Sequence, residues 1–95
     1  MNFFQPELFA NPERTPKSVA VDLIQFYVKR GDSLDSLKKG QMGSGNSDES
    51  ACIGEYCQGK KFSTDFIIVS KFNGIEICEV FKLKSIYDEI KKDSK

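Results

Sequence analysis

The sequence predicts an α+β domain: an N-terminal helix with a short second helix, a three-stranded antiparallel meander, and a C-terminal helix. Three observations lead there. Residues 64–83 hold two β-rich runs on either side of Asn73-Gly74. Asn-Gly is the pair that a two-residue type I′ turn prefers, because both central residues need positive φ. Thr15-Pro16 followed by an apolar stretch and Gly31 reads as a helix with both ends marked. Leu83, Ile86, Tyr87 and Ile90 fall on one face of a helix near the C-terminus.

The elements follow in order along the chain. Residues 1–14, MNFFQPELFANPER, hold two prolines and no sustained period. They read as an extended arm, with residues 15–95 as the single domain. Thr15 is the N-cap of the first helix and Pro16 its first residue. Its polar residues Ser18, Asp22, Gln25 and Lys29 form one narrow stripe, and the rest is apolar. A helix apolar around most of its circumference is expected to be covered on most sides. Leu23, Ile24 and Tyr27 are the expected core positions.

Asp32-Ser33 can cap a short second helix over 34–39, ended by Gly40. Residues 40–50, GQMGSGNSDES, have three glycines and almost no apolar content and read as a mobile connector. Residues 51–57 are a strand candidate, with Gln58-Gly59-Lys60-Lys61 as its turn. Fixing the next turn at Asn73-Gly74 sets a register in which Lys71 faces Glu76, Val69 faces Cys78, Ile67 faces Val80 and Asp65 faces Lys82. Ser85 and Asp88 have capping-box spacing and are expected to open the last helix. Lys91 and Lys92 near its end suit the helix dipole.

Bulk properties narrow the function. Lys+Arg and Asp+Glu balance at 14 each, so a chain that coats nucleic acid is not expected. No apolar run reaches membrane-spanning length and no export signal is visible, so a cytoplasmic protein is expected. The three cysteines, Cys52, Cys57 and Cys78, then read as free thiols. The chain has no histidine, which removes His-based acid/base chemistry and most zinc sites. No metal or cofactor is expected.

Two motifs bear on function. Gln5-Pro6-Glu7-Leu8-Phe9 resembles the pentapeptide by which many bacterial DNA-metabolism proteins bind the replication sliding clamp. The resemblance covers these residues alone, and Pro6 departs from the commonest form. It implies that Leu8 and Phe9 fill an apolar pocket on the partner while the Gln5 amide binds its rim. The expected function is then that of a small non-catalytic accessory or inhibitory protein. The alternative use of Phe4, Leu8 and Phe9 is to fold back and finish the core.

Asp65, Glu79 and Lys82 resemble the Asp…Glu-x-Lys core of restriction-like nucleases, where carboxylates gather Mg²⁺. Here the spacing is Glu79-x-x-Lys82, so on a regular strand the two side chains face opposite ways. A bulge at Val80-Phe81 is the one arrangement that reunites them. The simpler expectation is a charge pair on the hairpin. Apolar side chains on both hairpin faces also raise the expectation of a homodimer.

Overall fold

The computed structural model describes residues 14–40 and 42–93. Helix α1 (Pro16–Lys29) starts where the sequence expects. Thr15 is in extended conformation, its hydroxyl accepts from the Ser18 amide, and the Ser18 hydroxyl accepts in turn from the Thr15 amide. Gly31, at φ 94°, follows the C-cap Arg30. Helix α2 (Leu34–Gly40) follows, with the Ser33 hydroxyl accepting from the Ser36 amide.

Six strands come next: β1 (Gly43–Gly45), β2 (Ser50–Ile53), β3 (Tyr56–Cys57), β4 (Lys60–Lys61), β5 (Phe66–Phe72) and β6 (Ile75–Lys82). Helix α3 (Leu83–Asp93) closes the described chain. The main sheet is antiparallel with order β1-β2-β5-β6, and β3-β4 form a separate hairpin. The α+β class holds, but the three-stranded meander becomes a four-stranded sheet plus this hairpin. Part of the expected mobile connector is strand β1, paired with Ser50, Ala51 and Cys52.

The core lies between one face of the sheet and the helices. Val19, Ala20, Leu23, Ile24 and Tyr27 of α1 meet Ala51 and Ile53 of β2, Ile67 and Val69 of β5, and Ile86 and Ile90 of α3. Asp22, Gln25 and Lys29 are exposed, as the polar stripe predicts. Phe26 is exposed too, at 57%, so α1 is not covered all round. Ile68 is also buried, although it points to the other face. Strand β5 therefore has apolar burial on both sides, as suits an inner strand.

The Asn73-Gly74 turn is present, with φ of 57° and 76°. Phe72 pairs with Ile75 and Lys71 with Glu76, as the turn dictates. Beyond them the register differs from expectation. Ser70 alone on β5 stands opposite both Ile77 and Cys78 on β6, a β-bulge. Val69 then pairs with Glu79, not Cys78, and Ile67 with Phe81, not Val80. The physical reason is packing: the extra residue turns Phe81 toward the helix-covered face, where it packs against the core.

Helix α3 begins three residues earlier than its capping-box spacing suggests. Leu83 is fully buried and its amide donates to the Asp65 carbonyl at 2.9 Å. That anchor fixes the helix start directly after β6. Asp88 is instead drawn to Lys84, 2.7 Å away.

Candidate functional site

Gln5, Leu8 and Phe9 lie outside the described residues. Arg14 is the first described residue after that segment. Its guanidinium forks onto the Glu49 carboxylate, with Nη2 to Oε1 at 2.6 Å and Nε to Oε2 at 3.1 Å. Nη1 reaches Asp22 Oδ2 at 2.6 Å. A bidentate fork is the strong form of this contact. The Arg14 hydrogen bonds hold the Glu49 carboxyl below the usual glutamate range, and both carboxylates raise the pKa of Arg14. The guanidinium thus ties the residue before the first helix to α1 and to the β1–β2 turn.

Asp65 and Lys82 do come together. They line a cleft of about 510 Å³ with Lys38, Phe66, Lys84 and Asp88, where the end of the β5–β6 hairpin meets the start of α3. Lys38 Nζ lies 3.0 Å from Asp65 Oδ1 and is the main cause that lowers the Asp65 pKa, with Lys82 a smaller one. The expected pairing of Asp65 with Lys82 across the ladder is corrected: Phe66 takes that position opposite Lys82. Glu79 does not join the cleft. It pairs with Val69 on a stretch with no bulge between it and Lys82, so the two side chains leave opposite faces. Among the described residues there is no group of three or more His, Cys, Asp or Glu side chains placed to hold a metal ion.

The turn expected over Gln58-Gly59-Lys60-Lys61 is present but shorter, because Lys60 and Lys61 form strand β4. The Gln58-Gly59 turn, with φ of 54° and 81°, folds β3 and β4 into a hairpin beside the outer face of the sheet. A groove of about 270 Å³ separates the two, lined by Tyr56, Cys57 and Gln58 on one side and by Ser70, Lys71 and Ile77 on the other. Cys57 and Cys78 form a disulfide across it, with Cα atoms 6.1 Å apart. The expectation of three free thiols is therefore corrected: Cys52 alone is free. The cause is the hairpin, which brings Cys57 back onto β6 across a separation of 21 residues. The Gln58-Gly59 pair is the sequence signal for that hairpin. Lys61 Nζ lies 6.0 Å from the Tyr56 ring centroid, and Tyr56 remains 64% exposed.

No family model, no curated protein and no solved structure matches this chain. Among the described residues no helix is long and apolar enough to cross a membrane.

Proposed function

We propose that this chain is a small protein-binding factor that docks on a partner through Gln5, Leu8 and Phe9, with the folded domain as its carrier. A replication sliding clamp of bacterial type is the partner that the motif fits best. The observation that carries this reading is the Gln-x-x-Leu-Phe sequence placed just before a firmly rooted domain. Arg14 pins the root, so a peptide bound at residues 5–9 holds the whole domain close to the partner's surface. An accessory or inhibitory role follows from that proximity and needs no chemistry at the domain itself.

The energetics set the expected strength. Two large apolar anchors in a desolvated pocket each contribute about 1.5–3 kcal/mol. Association and ordering of the peptide offset part of this. Affinity near the micromolar range, about −8 kcal/mol, is the expected outcome. The test is calorimetry of the intact chain against purified clamp, beside a Leu8→Ala/Phe9→Ala variant. Micromolar binding that disappears in the variant supports the reading. Equal binding by both proteins, or none by either up to hundreds of micromolar, refutes it.

A further inference from the structure

The chain joins the outer-face hairpin to β2 at one end and to β5 at the other, and the Cys57–Cys78 pair adds a cross-link from it to β6. We infer that Cys57 and Cys78 form a reversible dithiol–disulfide clamp that fixes the β3–β4 hairpin over the groove when oxidised and releases it when reduced.

The bulge makes this possible. Ile77 and Cys78 are the two residues that stand opposite Ser70 alone, so neither has a regular partner across the ladder. The bulge thus frees backbone that a regular strand would engage. The Ile77 carbonyl is used by Cys57, whose Sγ lies 3.5 Å from it. As a thiol, Cys57 therefore has an acceptor in place. As a disulfide it has Cys78, at a Cα separation inside the range that a disulfide spans. The backbone that sets the two cysteines at this separation thus also offers the Cys57 thiol an acceptor.

The two sulfurs differ in access. Cys57 is buried, at 6% exposure, and Cys78 is half-buried on the edge strand. The order of reaction with a small disulfide such as oxidised glutathione follows. The Cys78 thiolate attacks one glutathione sulfur, breaks its S–S bond and expels the first glutathione thiolate. The Cys57 thiolate then attacks the Cys78 sulfur of the mixed disulfide and expels the second. Two thiol protons and two electrons leave the protein, and one glutathione disulfide becomes two glutathione thiols. Reduction runs the same steps backward.

Cys52 stays outside the exchange. It stands on β2 and pairs with Ile68 of β5. Burial and the neighbouring Glu55 push its thiol pKa up, which keeps it protonated and a poor nucleophile.

The groove supplies the structural consequence. Tyr56 and Gln58 on the hairpin form one wall, and Lys71 and Ile77 on the sheet form the other. Oxidation fixes the spacing of the walls. Reduction leaves a hairpin of two short strands whose ties to β6 are noncovalent, and an isolated two-stranded hairpin is marginal in water.

The experiment equilibrates the full-length folded chain in glutathione buffers from fully reduced to fully oxidised, alkylates free thiols and weighs the products. The expected result is the joint loss of two alkylatable thiols across that range, with one remaining. The oxidised form should melt about 10–20 °C higher than the reduced form, the shift that a loop of this size implies. Cys57→Ser should carry one glutathione on Cys78, and Cys78→Ser should carry none on Cys57. Three results each overturn the proposal: a reduced chain that never forms the bond, a bond that never opens in the folded protein at the reducing end, or preferential modification of Cys52. The wild-type thiol count decides the question even where a variant fails to fold.

Discussion

Leu23 and Phe26 are both large apolar residues on α1, and truncating each to alanine should separate what the helix buries from what it exposes. Leu23 is 5% exposed within the core against β2 and β5, whereas Phe26 is 57% exposed. Leu23→Ala removes three carbons from that core. At about 0.8 kcal/mol per methylene the transfer loss alone is about 2.4 kcal/mol. An unfilled cavity raises the cost, toward about 5 kcal/mol at the upper end for such changes. Phe26→Ala loses an exposed ring that sits edge-to-face with Tyr27, centroids 5.2 Å apart, and has the Arg30 Cζ 5.9 Å from its centroid. Aromatic pairs contribute from about 0.5 kcal/mol upward and exposed cation–π contacts likewise from about 0.5 kcal/mol, so for so exposed a ring the two together should cost about 1 kcal/mol. For a domain of this size each kcal/mol moves the melting temperature by about 4–8 °C. Thermal unfolding followed by circular dichroism should then show a fall of at least about 10 °C for Leu23→Ala. Phe26→Ala should fall by several degrees at most. Equal shifts in the two variants, or a larger one for Phe26→Ala, would refute the placement of the α1 core face.

Two further predictions concern the root of the N-terminal segment and one tight turn. Hydrogen bonding to Arg14 lowers the Glu49 pKa on folding, so this contact stabilises the domain above the ordinary glutamate range and is lost as acid protonates Glu49. Arg14→Gln should therefore be less stable than wild type at pH 7, by no more than about 1 kcal/mol for a partly exposed pair, and the gap should narrow at pH 3. Urea midpoints at the two pH values check this, and a gap independent of pH would show that the contact is not ionic. Gly54 sits at φ 64°, and a Cβ there would lie 3.0 Å from the Thr64 backbone. Gly54→Ala should cost at least about 1–2 kcal/mol from the left-handed backbone alone, and a urea midpoint equal to wild type would show that the turn adapts.

The parts of the fold legible in the sequence are those with local chemistry. Thr15, Pro16 and Gly31 mark the ends of α1 by capping, and Asn73-Gly74 marks the hairpin by its backbone preference. Strand β1 was not legible, because Gly43, Ser44 and Gly45 carry no alternating apolar pattern. Their role is a close approach: a Cβ at Gly43 would lie 2.8 Å from Cys52 Sγ, and one at Gly45 would lie 2.7 Å from Ser50 Cβ. The bulge was hidden for a related reason. Both registers put an apolar residue opposite Ile67, Val80 in the one expected and Phe81 in the one found, and the demand of the helices for Phe81 decides between them. Among the nuclease-like residues, local spacing correctly kept Glu79 apart from Lys82. The link between Cys57 and Cys78 depends on two hairpins meeting, which no single stretch of sequence encodes.

Ser70 is where two irregularities meet. It stands opposite two residues of β6, and it is skipped in the β2–β5 ladder between Ser50 and Ala51. The Ser50 and Ser70 hydroxyls, 2.9 Å apart, mark that row. The sheet therefore has a seam across it. On one side lie the paired tips, where the Gly74 amide donates to the Asp48 carbonyl at 3.0 Å. On the other side lie Ile67, Val69 and Phe81, facing the helices. A register is normally inherited along a whole strand, so one slip turns every side chain over. Here inheritance stops at the seam. Lengthening the loop at Asn46 or at Asn73, or fusing a peptide there, acts on a block of sheet whose phase is already separate from that of the core. The tips are thus the natural place to attach new sequence to this domain, because the inward set of side chains does not take its alignment from them.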